Sequence, residues 1–231
     1  MRQEELIANF DKQAASYDDQ WKRLAPLNGA LHLLMRAVFS ELPVDAHVLC
    51  VGAGTGAELV YLASEFPHWR FTAVEPSAAM LDVCKQRAEE RGFASRCLFH
   101  RGYLDSLPAS NAFDAATCLL VSQFMLDREA RSGFFREIAQ RLKPGAILVS
   151  SDLASDVRST AYESRLGVWW QMMKTADVPP DGIDRLRQAY ERDVAVLPPE
   201  DVEAVIAAGG FENPVRFFQA VLIHAWYSTK A

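Results

Sequence analysis

The residues whose types and spacing could do chemistry begin at a turn. Gly52, Gly54 and Gly56 alternate directly after the apolar run Val48-Leu49-Cys50-Val51, and an apolar-periodic segment (Leu59, Val60, Leu62, Ala63, Phe66) follows at once. This reads as a buried strand, a tight turn and a helix start. Glycines at such a turn allow positive φ and keep a Cβ out of a ligand's way. The free N–H groups and dipole of the new helix favour an anionic or hydrogen-bond-accepting ligand. Glu75 closes a second apolar run, Phe71-Thr72-Ala73-Val74, at the separation of roughly 20 residues where nucleotide-binding folds set an acid on ribose hydroxyls. Gly52, Gly54 and Ala57 also satisfy the G-x-G-x-x-G/A fingerprint, so the turn alone admits a dinucleotide. A tight turn that binds nothing would show the same glycines.

The elements that must position this turn follow a regular rhythm. Residues 1–42 read as helical, with Leu6, Ile7 and Phe10 on one patch and Leu27, Leu31, Leu34, Met35 and Val38 on a longer amphipathic face. From Val48 the pattern predicts strands at 48–51, 71–75, 95–100, 113–119 and 146–151, and helices at 57–66, 77–91 and 128–141. Such alternation means βαβ units and a parallel sheet covered on both faces, a doubly wound α/β fold. Residues 153–192 read as mainly helical, broken at Pro179-Pro180-Asp181-Gly182. Pro198 and Pro199 open a helix to Ala208, and strands are expected at 215–218 and 221–227.

Composition narrows the function. The chain has 231 residues, 50% hydrophobic and 23% charged, with a formal net charge of -6, so nothing draws it to a long nucleic acid. Cys50, Cys84, Cys97 and Cys118 sit in or beside apolar segments without a C-x-x-C pair. That argues against a zinc site or a disulfide framework and for buried thiols in a reducing compartment. The N-terminus lacks the apolar core of a signal peptide, and no apolar run approaches the ~20 residues of a membrane span. The expected location is cytoplasmic, with no membrane partner and a monomer or homodimer as assembly.

The string Val51-Gly52-Ala53-Gly54-Thr55-Gly56 closely resembles the first motif of class I S-adenosylmethionine-dependent methyltransferases. Phe10-Asp11…Ala14…Tyr17-Asp18 ahead of it, Phe113-Asp114 opening an apolar strand, Leu142-Lys143-Pro144-Gly145 and the terminal Gly-Phe and strand pair extend the resemblance. It implies a seven-stranded sheet of order 3-2-1-4-5-7-6 with strand 7 antiparallel. It also implies one domain over 1–231, in four parts: an N-terminal helical lid at 1–42, a cofactor-binding core at 43–152, a helical insertion or substrate cap at 153–197, and a terminal helix and β-hairpin at 198–231.

The implied cofactor is S-adenosylmethionine, leaving as S-adenosylhomocysteine, and the implied acceptor is a small molecule. Residue by residue, Tyr17 would close over the methionine end and Gly52, Ala53 and Gly54 would line it. Glu75 would take the ribose hydroxyls, Pro76 and Met80 would pack on adenine and ribose, and Leu119 would touch the cofactor. Where family members carry an acid on the adenine this chain has Tyr103, followed by Leu104 with its backbone N–H. Gln123 and Phe124 occupy the place often held by a histidine pair near the substrate.

Methyl transfer needs alignment and water exclusion more than side-chain chemistry. If a base is used, Asp152 at a strand end is the first candidate, with Tyr17 and His224 behind it. Trp169, Trp170 and Met173 form the expected substrate cap; the same stripe would also suit plain core or a dimer face. Three alternatives stand beside this reading: a carboxy-S-adenosylmethionine synthase of tRNA wobble modification, an NAD-dependent reductase, and a non-catalytic nucleoside-binding protein.

Overall fold

The computed structural model describes residues 3–110, 112–175 and 180–231. Seven strands form one sheet in the order β3-β2-β1-β4-β5-β7-β6. In chain order they are β1 (His47–Val51), β2 (Arg70–Glu75), β3 (Cys97–Arg101), β4 (Phe113–Leu119), β5 (Leu142–Leu153), β6 (Phe211–Ala220) and β7 (Ile223–Lys230). The first five run parallel, and β7 pairs antiparallel with both β5 and β6. The expected order and the reversed seventh strand are both observed. This order departs from the 3-2-1-4-5-6 arrangement of dinucleotide-binding domains.

β1 shows why the sheet is central. Val48 and Cys50 point to one face and Leu49 and Val51 to the other, and all four are buried. A strand buried on both faces reads as a continuous apolar run. On one face Val48 and Cys50 pack with Met35, Leu59, Leu62, Phe71 and Leu81 from helices α3 (Ala25–Val38), α4 (Ala57–Glu65), α5 (Ala78–Glu90) and β2. On the other, Leu49 and Val51 pack with Phe135, Ile138, Val205 and Ile206 from α6 (Arg128–Ala139) and α9 (Pro199–Ala208). Ahead of α3 lie α1 (Gln3–Gln13) and the short α2 (Tyr17–Trp21); after β5 come α7 (Thr160–Thr175) and α8 (Pro180–Asp193).

Boundaries differ from the sequence reading where local signals misled. β5 starts at Leu142 and carries Lys143-Pro144-Gly145 within the strand, across an irregularity that pairs Phe113 with Leu142 and then Ala115 with Ile147. The hairpin strands are longer than expected, and their turn sets Val221 at φ 58. Pro180 opens α8 rather than ending a helix, as suits a first-turn proline. Pro179, expected in that break, lies outside the described residues. Among the described residues no helix is long and apolar enough to cross a membrane.

Candidate functional site

The sheet order reverses direction between β1 and β4, and ligands of such folds bind outside the strand ends at that point. The glycine turn sits there, and each glycine has its own reason. A Cβ on Gly52 would run into Val121, and one on Gly56 into the Cys84 sulfur, so these two are close-packing positions. A Cβ on Gly54 would meet no protein atom, yet its φ of 53° is left-handed. Gly54 is therefore the glycine that borders the crevice.

The donors of the turn are engaged within the protein. Gly52 and Ala53 N–H donate to the Val74 carbonyl at 2.8 and 3.1 Å, and Gly54 N–H donates to Glu75 Oε2 at 3.0 Å. The other Glu75 oxygen accepts Ser77 N–H at 2.8 Å. The buried carboxylate thus bridges the turn to the start of α5, and each oxygen keeps a further lone pair for a ligand hydroxyl. Burial pushes its pKa up, against the pull of those two N–H groups. The N–H groups of Gly52, Ala53 and Gly54 are thus engaged within the protein, and Glu75 offers acceptors beside them.

The N-terminal helices are fastened to this frame by the two aspartates of the Phe-Asp…Tyr-Asp pattern. Asp11 Oδ1 accepts the Ser77 hydroxyl at 2.6 Å and Ala79 N–H at 3.1 Å, which hold its carboxyl below the usual range. Ser77 in turn caps α5 through Met80 N–H. Asp18 accepts the Thr55 hydroxyl at 3.0 Å and pairs with Arg87 at 2.6 Å. Phe10 meets Phe124 edge to face at 5.8 Å. Tyr17, between these anchors, is raised to about 12 by burial, with Asp18, Glu75 and Glu58 adding to it. It stays a neutral phenol at physiological pH and is no base. In this pattern it is the two acids that fasten the helices to the frame.

Other expected cofactor residues flank the crevice. Met80 is buried one turn beyond Pro76, Leu104 is buried and Leu119 half-buried at the end of β4. The buried Tyr103 hydroxyl has no hydrogen-bond partner among the described residues, and burial, with the Glu75 charge adding to it, raises its pKa. Beside Leu119, Leu120 sits at φ 58, a conformation few non-glycine residues hold.

Asp152 is not placed as a base. It is sealed from solvent, accepting the Ser122 hydroxyl and Gln123 N–H at 2.8 Å each, and lies 3.0 Å from Arg131 Nη2. Arg131 is equally sealed and also donates to Ser122 Oγ and the Ala195 carbonyl. Gln123 belongs to the same cluster, its Oε1 accepting Leu153 N–H at 2.7 Å, so its side chain is turned from the crevice. His224 is buried against Trp226, donates to the Leu222 carbonyl and is held neutral by burial. Asp152, Arg131 and Gln123 tie the end of β5 to α6 and to the segment after β4, while His224 packs along its own strand.

The aromatic stripe divides in two. Trp169 and Met173 pack with Leu153, Leu222 and Ile223, fixing α7 to the sheet edge. Trp170 also lines a cavity of about 640 Å³ with Tyr162, Leu166, Arg187 and Tyr190, the Arg187 guanidinium lying 5.1 Å from the centre of the indole. Tyr190, which lines the cavity, packs on Trp170 with ring centres 5.6 Å apart. Sequence reasoning missed Glu58, Asp18, Arg87, Arg187 and Tyr190. Glu58 was legible as an acid one turn before Leu62 on the buried face of α4.

A seven-stranded 3-2-1-4-5-7-6 sheet with a glycine turn and an anchored acid at its switch point defines a class I methyltransferase architecture. Residues 48–145 match the family model of a methyltransferase domain. Over 136 residues the chain is 30% identical to the biotin biosynthesis bifunctional protein BioHC of Teredinibacter turnerae, covering 56% of this chain and 22% of that one. Over 107 residues it is 30% identical to the erythromycin 3''-O-methyltransferase of Saccharopolyspora erythraea, covering 46% and 34%. The chain therefore spans about a third or less of these relatives' lengths. A solved structure of a putative O-methyltransferase from Nostoc punctiforme shares the fold with TM-score 0.68 at 16% identity, covering 96% of this chain and 60% of that one.

Proposed function

We propose that the protein transfers a methyl group from S-adenosylmethionine to a small-molecule acceptor, in a reducing, cytoplasmic compartment that suits its four free thiols. The observation that carries this reading is Glu75, anchored on both oxygens beside the Cβ-free edge of Gly54; the Tyr103 hydroxyl, without a partner among the described residues, adds to it. A ribose offers the paired hydroxyls this carboxylate can accept, and an adenine or ribose edge suits the phenol. The residues present therefore fit the nucleoside: Glu75 would hold the ribose, Tyr103, Pro76 and Met80 would flank the base, and Tyr17 would cover the methionine end.

The sulfonium supplies an already activated methyl group. What this chain adds is alignment and exclusion of water by α1 and α2, a lid latched through Asp11 and Asp18. With Tyr17 held as a phenol and Asp152 and His224 packed away, the acceptor brings its own nucleophile in ionised or lone-pair form. The cavity beside Trp170 and Arg187 suits an acceptor with a flat apolar part.

Parallel calorimetric titration with S-adenosylmethionine, S-adenosylhomocysteine and NADH tests the reading. Micromolar binding of both adenosyl ligands and none of NADH is expected, followed by S-adenosylhomocysteine formation in an acceptor screen. Binding of NADH alone would overturn it.

A further inference from the structure

Helices α7 and α8 follow one another closely in the chain and pack together as an antiparallel pair. The cavity they line holds about 640 Å³, room for a small organic ligand. Glu163, Gly167 and Trp170 reach it from one face of α7, at helical spacing. Arg187, Tyr190 and Glu191 reach it from α8. Trp170 is buried and packs on Tyr190 with ring centres 5.6 Å apart and planes tilted by 41°. The Arg187 guanidinium lies 5.1 Å from the indole centre. Between Glu163 and Trp170, Gly167 leaves the floor open, because a Cβ there would meet no protein atom within 4 Å. Glycine is unfavourable in a helix interior relative to alanine. Neither a clash nor a left-handed φ calls for it at this position.

The charged groups are separated along the cavity. Trp170 and Arg187 mark one end. Glu163 comes seven residues before Trp170, about 10 Å along a helix, and Glu191 comes four after Arg187, about 6 Å. In an antiparallel pair those two steps lead the same way, so both carboxylates lie towards the other end. Arg187 and Glu191 also stand at the spacing of an ordinary helix-surface ion pair. Arg187 instead rests on the indole and makes no ion pair among the described residues. A guanidinium stacked on an aromatic face keeps its planar fork of N–H donors for a carboxylate. The lining therefore offers a flat aromatic wall, donors at one end and acceptors at the other.

We propose that this cavity takes a flat aromatic molecule with an acidic group at one end and a basic amine at the other. Its ring lies against Trp170 and Tyr190 over Gly167, its acid meets Arg187, and its amine meets Glu163 and Glu191. The helix pair is moored to the loop after β4: Ala195 N–H, just beyond α8, donates to the Gln123 carbonyl at 2.8 Å. Leu120 from that loop and Trp21 from α2 pack against the same apolar cluster as Trp170 and Tyr190. Calling the bound molecule the acceptor rests on the methyl-transfer reading; its binding does not.

The test is calorimetric titration of the full chain, without donor, with three probes built on one ring: 4-(aminomethyl)benzoate, 4-methylbenzoate and 4-methylbenzylamine. At neutral pH and low salt the first should bind about fivefold more tightly than either one-ended probe, and the advantage should shrink as salt is raised. Arg187→Met should remove its advantage over 4-methylbenzylamine, and Glu163→Gln with Glu191→Gln its advantage over 4-methylbenzoate. All three positions are exposed, so these variants should fold as the unaltered protein does. Gly167→Leu, which fills the floor, should abolish binding of all three probes without lowering the melting temperature. Equal or absent binding of the three probes, tighter binding of a one-ended probe, or a preference that survives Arg187→Met would overturn the assignment; the first two need no variant. A parallel titration with S-adenosylmethionine separates the two readings. Donor binding without a probe preference removes the two-ended ligand and leaves methyl transfer, whereas a probe preference without donor binding does the reverse.

Discussion

Replacing the buried Glu58 by Gln should make the ligand-free protein more stable. Gln keeps the shape of the protonated acid and removes the charge. An acid whose folded-state pKa lies above its unfolded value binds its proton more tightly when folded. Its favourable contribution is complete below the ordinary glutamate value of 4.5 and is withdrawn as pH climbs through about 7. At 1.4 kcal/mol per pH unit this removes roughly 3 kcal/mol by pH 8. The group is almost wholly buried, so solvent screening takes little from that figure. Urea denaturation without ligand should show Glu58→Gln equal to the unaltered protein within about 0.5 kcal/mol at pH 4 and more stable by roughly 3 kcal/mol at pH 8, with a melting temperature at least ~6 °C higher. A variant that is less stable at pH 8, or whose advantage is the same at both pH values, would refute the reasoning.

Three further outcomes follow from the same contacts. Arg131→Met should cost about 3–5 kcal/mol by denaturant midpoint, because it leaves Asp152 charged and sealed without its partner; Asp152→Asn should leave the pH profile of kcat unchanged in shape, and a lost limb in that profile would restore Asp152 as a base. Glu75→Ala should weaken S-adenosylmethionine binding by about 1–3 kcal/mol in calorimetry, by removing the acceptor of two ribose hydroxyls. Asp18→Ala breaks a partly exposed pair worth under about 1 kcal/mol, so global stability should barely move, while limited proteolysis within residues 3–24 should quicken and kcat should fall.

What was legible in the sequence was local or repetitive. The glycine turn and Glu75 lie in two short strings, and strand alternation repeats one signal five times, so both survive without knowledge of tertiary contacts. Apart from element boundaries, the misreadings concern side-chain partners on other elements. Asp11 meets Ser77, 66 residues away, and Asp152 meets Arg131 from another element. An acid at the end of a strand looks catalytic until the arginine that neutralises it is seen. The stripe Trp169, Trp170, Met173 has helical spacing, but spacing cannot say which face meets the sheet; only Trp170 lines the cavity. Gln123 was expected to face the substrate because of its position after β4, and its amide instead caps the Leu153 N–H.

The contacts of α1 and α2 bear on how such a site could work without a protein base. One short segment reaches several parts of the frame: Phe10 the loop after β4, Asp11 the start of α5 and Asp18 the glycine turn. On the proposed reading, closing that segment closes the donor crevice. If alignment and dryness supply most of the rate, loosening the latch should act on the transfer step itself. The ground-state contacts of donor with Glu75 do not pass through Asp18, so Asp18→Ala should lower kcat several-fold more than it weakens donor binding. Equal losses in both would mean that the latch merely helps hold the donor, and the catalytic part of this account would have to move to the acceptor side.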